Sequence, residues 1–251
     1  MMKYPVFPHA NTPETPLIIG HRGFTLVAPE NSLPSFEAAG KRGFWAIETD
    51  VRLTRDGVMV CCHNATTAAR FDEDLTVADC TYAELQKLTM AKGNGLEGYK
   101  PEELKMPTFA QYLDICEKYG AVPFIESKEM VIDRIFDELR RRDLMGSSVM
   151  SSVNFDHILE ARRLDRDIFI HHIFSNTERM HELAEMGNAG LSYNYPDLDL
   201  LPAGLIEETH ACGVKVCLRA GDSIETCQRM FGLGLDYIPS NKIYTMSGDN
   251  A

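Results

Sequence analysis

Apolar residues along this chain follow two alternating rhythms. Short apolar runs fall at residues 17–20, 45–50, 122–126, 148–153, 168–173, 190–193, 214–218 and 236–238. Between them lie stretches at 32–42, 108–119, 131–142, 156–164, 177–186, 202–212 and 223–231 whose apolar residues recur at helical spacing. Runs apolar on both faces predict buried parallel strands, and the second spacing predicts amphipathic helices. Asn31 and Ser32 before the first helix, Thr108 before the second, and Gly43, Gly120 and Gly213 after helix ends supply the matching start and stop signals. Eight strands alternating with helices predict an α/β fold, a closed (β/α)8 barrel, with an open doubly wound sheet as the alternative.

Two segments depart from the rhythm. Residues 1–16 are Pro-rich and aperiodic, which predicts an arm laid on the surface. After the second strand, Arg55–Asp56–Gly57 reads as a turn between two short strands. A polar stretch with Gly93, Gly95, Gly98 and Pro101 follows. The segment at about 57–107 is longer than a crossover needs, so it is expected to be an insertion over the barrel mouth. Lids in that position exclude water and select substrates.

Length and composition agree with one barrel domain over 1–251. The chain has 251 residues, 44% hydrophobic and 25% charged, enough for one sizeable core. A formal charge of -12 argues against a nucleic-acid partner, whose phosphates require Lys and Arg. The seven cysteines are an odd number without a zinc-like pair, and read as buried free thiols. No signal-like or membrane-length apolar run occurs, so a cytoplasmic protein without stable membrane insertion is expected. The sequence does not set the oligomeric state.

The candidate chemistry gathers at predicted C-terminal strand ends, where barrel active sites are built. Gly20–His21–Arg22–Gly23 follows the first strand and leads to Pro29–Glu30–Asn31. Glu48–Thr49–Asp50 ends the second, His63–Asn64 closes the hairpin, and Glu126–Ser127–Lys128 ends the third. On a strand, residues two apart share a face, so Glu48 and Asp50 both turn inward. With Glu126 they make a site for a hard divalent cation, Mg2+ or Ca2+. Arg22 and Lys128 are placed to neutralise a phosphodiester, and His21 and His63 to act as acid and base. Each motif alone has an ordinary structural explanation, as a solvated strand end or a loop histidine. Their shared position at one end of successive strands sets them apart.

The text HRGFTLVAPENSLPSFEAAGKRGFWAIETDVRLTRDGVMVCCHN resembles the glycerophosphodiester phosphodiesterase family in its His-Arg-Gly, Pro-Glu-Asn, Glu-x-Asp, Thr-x-Asp-Gly and His-Asp elements. Residues 124–128 resemble its Glu-x-Lys element. The resemblance implies a TIM barrel with a small insertion after the second strand. It implies hydrolysis of a small-molecule glycerophosphodiester to glycerol 3-phosphate and an alcohol. His21 and His63 would be the acid/base pair, Glu48, Asp50 and Glu126 the ligands of one cation, and Arg22 and Lys128 the phosphate contacts.

Three positions depart from that pattern: His63–Asn64 for His-Asp, Arg219–Ala220–Gly221–Asp222 for aromatic-Thr-Val-Asn, and Ser240–Asn241 for Thr-Asp. Arg219 is expected to contact an anionic or polar group of the substrate, or else to pair with Asp222, Glu30 or another local acid. The alternatives in function are a lysophospholipid-directed phosphodiesterase, a catalytically degenerate barrel that binds phosphodiesters, and an unrelated metal-using barrel lyase or isomerase. His171 and His172, in the fifth strand, should face opposite ways.

Overall fold

Alternation along each strand sorts side chains into two apolar environments. One residue points into the barrel and the next points out to the helices. Thus Leu17 and Ile19 belong to an inner cluster while Ile18 belongs to an outer one. Ala46 and Ile47, Phe124 and Ile125, and Phe169 and Ile170 divide in the same way.

A computed structural model describes residues 5–195, 197–218 and 220–248. Its strands are β1 (Ile18–Gly20), β2 (Ala46–Leu53), β3 (Met59–Cys61), β4 (Val122–Ser127), β5 (Val149–Ser152), β6 (Phe169–Ser175), β7 (Ala189–Tyr193), β8 (Lys215–Cys217) and β9 (Ile238–Ser240). Its helices are α1 (Leu33–Lys41), α2 (Tyr82–Leu85), α3 (Phe109–Tyr119), α4 (Ile132–Arg141), α5 (Phe155–Leu164), α6 (Thr177–Met186), α7 (Leu205–Ala211) and α8 (Ile224–Gly232). Parallel pairing runs β8-β7-β6-β5-β4-β2-β1-β9, with β3 antiparallel to β2 as the turn at Arg55–Gly57 predicts. The result is a nearly closed, eight-stranded parallel barrel ringed by helices.

The seam lies between β8 and β9. Asp236 closes it: its backbone N–H donates to Val216 O at 2.9 Å, and its carboxylate accepts from the Val216 N–H at 2.8 Å and from Lys215 Nζ at 2.8 Å. This explains a shift from expectation. The last strand was expected at 236–238 and lies at Ile238–Ser240, because Asp236 spends its hydrogen bonds on the seam.

The N-terminal arm does more than lie on the surface. Phe7 packs against Trp45, Phe169 and Tyr237, with ring centroids 4.9–5.7 Å away, and plugs the bottom of the barrel. Trp45 Nε1 donates to Val6 O at 2.7 Å and fixes the arm there. All seven cysteines are free thiols, five of them buried. Among the described residues no helix is long and apolar enough to cross a membrane.

The inserted segment has its own small core of Phe71, Val77, Leu85, Leu88, Met90 and Met106 against Val60 of β3. It abuts the loop after β1, where Asn94 Nδ2 donates to Thr25 O at 2.7 Å. Among the described residues none from 64–107 lines the central cavity; the segment reaches the site through Arg70.

Candidate active site

The inward positions of three neighbouring strands grade from apolar to reactive as they climb. β1 leads from Leu17 and Ile19 to His21, β2 from Ala46 to Glu48 and Asp50, and β4 from Val122 and Phe124 to Glu126. At the top they open into a cavity of about 530 Å3. His21, His63, Arg22, Lys128, Glu48 and Glu126 all line it.

Carboxylate oxygens of Glu48, Asp50 and Glu126 lie within 4.8 Å of one another, and all three residues are buried. Burial, with Asp50 and Glu126 beside it, pushes the Glu48 carboxyl well above the usual carboxylate range. Burial and Asp50 push Glu126 up as well. Burial opposes charge on Asp50 too, but Lys128 and Arg22 outweigh it and hold that carboxyl low. Lys128 Nζ pairs with Glu126 Oε1 and lies 2.9 Å from Asp50 Oδ1. Arg22 Nε lies 3.4 Å from Asp50 Oδ2, and the Arg22 N–H donates to Glu48 Oε2 at 2.7 Å. Two cationic side chains thus serve three buried carboxylates, which calls for a further proton or cation. Asp50 Oδ1 is buried without a well-aligned hydrogen bond. Three converging buried carboxylates, served by only two cationic side chains, fit a hard divalent cation.

The loop after β1 is built to hold this geometry. Arg22 and Asn31 adopt left-handed backbone, φ 59° and 51°, and the Asn31 N–H closes the loop onto Arg22 O at 2.9 Å. Gly23 between them is required, because a Cβ there would collide with Ser35. Asn31 Nδ2 donates to Asp50 Oδ2 at 2.8 Å while its Oδ1 accepts from Thr49 Oγ1 at 2.7 Å. Glu30 receives Arg22 Nη1 at 3.1 Å and Arg70 Nη2 at 2.7 Å. The Pro-Glu-Asn motif therefore aims Arg22 and Asp50.

Both histidines are held alike. His21 Nδ1 lies 2.9 Å from Asn241 Oδ1, and His63 Nδ1 lies 2.6 Å from Asn64 Oδ1. Asp222 sets the Asn241 amide: its Oδ2 accepts from Asn241 Nδ2 at 2.8 Å and its Oδ1 from the Asn241 N–H at 2.7 Å. With Nδ2 committed to Asp222, Oδ1 must face His21, so Nδ1 carries the His21 proton and Nε2 is the basic nitrogen. Burial first, then Arg22, pushes the His21 imidazole below its usual range, and burial lowers His63. In the sequence Asp222 stands out only as part of a departure and as a candidate partner of Arg219. It is 201 residues from His21, and no local spacing announces the contact. Arg219 lies outside the described residues.

The family model for the glycerophosphoryl diester phosphodiesterase family matches residues 21–170. The chain belongs to that family. Glycerophosphodiester phosphodiesterase 1 of Homo sapiens is 28% identical over 182 residues, which is 70% of this chain and 53% of that protein. The chain thus spans about half the length of this relative. A glycerophosphodiester phosphodiesterase of Caldanaerobacter subterraneus subsp. tengcongensis is 25% identical over 88% of this chain and 92% of its own. In three dimensions the chain is similar to an Oleispira antarctica phosphodiesterase solved with its product sn-glycerol-3-phosphate, with a TM-score of 0.80 and 26% identity over 90% of this chain and 93% of that one. Within this glycerophosphoryl diester phosphodiesterase fold, Asn64 and Asn241 each set a side-chain oxygen against the Nδ1 of a histidine.

Proposed function

We propose that this chain hydrolyses glycerophosphodiesters to glycerol 3-phosphate and an alcohol. The observation that carries the reading is the placement of three clustered carboxylates and two oriented imidazoles on one cavity. Glu48, Asp50 and Glu126 would hold one divalent cation, Mg2+ or Ca2+. When bound, it supplies positive charge to offset the phosphodiester oxygens.

The chain's own residues do the rest. Arg22 and Lys128 stand at the cavity wall beside the carboxylates and add positive charge against the phosphate. One imidazole takes the nucleophile's proton as that oxygen attacks phosphorus. The other gives a proton to the leaving alcohol oxygen as the P–O bond breaks. The nucleophile is water, or the neighbouring glycerol hydroxyl; the second route forms a cyclic phosphate that water then opens, with the imidazoles exchanging roles. Asn241 and Asn64 hold the ring nitrogens for this work. A catalytically degenerate barrel is thereby disfavoured, because the two asparagines still orient both rings. The inserted segment at 57–107 contributes by bracing Glu30, and so Arg22, through Arg70.

One observation favours a second reading, action on lysophospholipids. Val153 and Phe174, 48% and 55% exposed, line the same cavity and offer apolar surface to an acyl chain.

Incubation with glycerophosphocholine, with Mg2+, Ca2+ or a chelator, tests the reading. Cation-dependent choline release is expected, falling by about a thousandfold or more in His21→Ala. Absence of turnover with tight binding of the phosphodiester would overturn it, and a strong preference for lysophosphatidylcholine would favour the second reading.

A further inference from the structure

Across the barrel from His21, the cavity floor holds a buried histidine that the chemistry above does not use. His171 points inward from β6, four strands from β1 around an eight-stranded barrel, and lines the cavity while only 2% exposed. His172, the next residue, points outward against Phe155. The His171 ring is packed edge-on to Phe124 and Tyr237, with centroids 5.3 and 5.6 Å away. Its Nδ1 lies 2.6 Å from Tyr237 Oη.

The Tyr237 hydroxyl decides the tautomer. It is fully buried, and His171 Nδ1 is its hydrogen-bond partner, so the hydroxyl donates and Nδ1 accepts. The ring proton then resides on Nε2. Among the described residues no hydrogen bond reaches that nitrogen, and the residue that carries it lines the cavity. Burial drives the imidazole down to about 3, so the ring stays neutral through the physiological range. A neutral imidazole with Nδ1 accepting is a fixed, uncharged donor.

The surroundings are shaped to keep it. On β7 the residue paired with His171 is Gly190, and a Cβ there would collide with the Tyr237 hydroxyl and crowd Phe169. Above His171 the register of β6 shifts between His172 and Ser175, and Phe174 is left-handed at φ 59°. That conformation is costly for an aromatic residue. It turns Phe174 to the rim of the cavity, where its N–H reaches Ser192 Oγ at 3.3 Å.

We propose that His171 is a substrate-positioning residue whose Nε2–H donates a hydrogen bond to an uncharged oxygen, hydroxyl or ester, at the end of the phosphodiester that lies away from His21. The inference rests on the phosphodiesterase reading. A neutral donor suits a hydroxyl that carries no charge of its own, and it leaves the charge balance around the carboxylates unchanged. The partner oxygen belongs either to the glycerol or to the alcohol that leaves.

Two substitutions separate this role from simple support of Tyr237. His171→Asn keeps an acceptor near the position of Nδ1 but removes the distal donor. His171→Gln keeps a donor near the position of Nε2. With glycerophosphocholine, His171→Asn should raise KM about tenfold with kcat changed by no more than about twofold, and His171→Gln should recover most of that loss. In a His21→Ala background, calorimetric binding of glycerophosphocholine should weaken about tenfold for the Asn variant and not for the Gln variant. Parallel weakening of glycerol 3-phosphate places the contact on the glycerol; weakening of glycerophosphocholine alone places it on the leaving alcohol. Wild-type behaviour in His171→Asn, or equal losses in both variants, overturns the assignment. A wild type that neither binds nor turns over glycerophosphocholine instead sinks the phosphodiesterase reading itself.

Discussion

The cavity has two unlike walls. β1, β2, β4 and the end of the β2–β3 hairpin bring two carboxylates, two cations and two imidazoles to it, with Asp50 buried behind them. β5 to β8 bring Val153, Ile173, Ser192 and Leu218, with His171 as a neutral donor. On the first wall the three carboxylates are buried against like and opposite charge, the cations and imidazoles are half-buried, and the polar residues behind them fix direction: Asn31 on Asp50, Glu30 on Arg22, Asp222 on Asn241. On the second wall the strands are packed as an ordinary barrel interior. On the proposed function, charged chemistry and the shaping of the remaining substrate would be carried by separate strands. A change on one wall should leave the task of the other largely intact.

The largest expected contrast between the walls is in kcat. Glu126→Gln removes one carboxylate from the cluster and should lower kcat by about a thousandfold or more. Val153→Ala, on the facing wall, should leave kcat within about threefold and alter KM instead. Steady-state kinetics on one glycerophosphodiester measure both, and similar kcat losses in the two variants would break the division.

A smaller effect sharpens the account of the charged wall. Burial depresses both His21 and His63, so the acid limb of kcat/KM should lie below the ordinary histidine range near about 6.5. Asn241→Asp would put a carboxylate against His21 Nδ1. Negative charge favours the protonated ring, so the acid limb should move up by about one pH unit. A pH–rate profile that does not move would mean that Asn241 does not govern the reacting imidazole.

The first wall is legible in sequence because its chemistry is local. Glu48 and Asp50 stand two apart on a strand, Glu126 ends the next parallel strand, and His21 follows β1 directly. The period of two and the strand-end rule are enough to bring them together. The second wall depends on distant partners. Tyr237 sets the His171 tautomer from 66 residues away. The first wall has one such distant support, Asp222, which holds Asn241 across the barrel seam and through it His21. The family match, over 21–170, stops before these residues. The Pro-rich arm has no periodicity that would announce Phe7 as the barrel's plug. Strand order and the number of helices around the barrel follow from alternation; the hairpin at β2–β3 follows from its turn residues.

The central claim is that Glu48, Asp50 and Glu126 form one cation site. Calorimetric titration of chelator-treated protein with Ca2+ or Mg2+ addresses it without any substrate. The account predicts one ion bound per chain by the wild type and by His21→Ala, and loss of that binding in Asp50→Asn and Glu126→Gln. Unaltered ion binding in those two carboxylate variants, or none in the wild type, would contradict it.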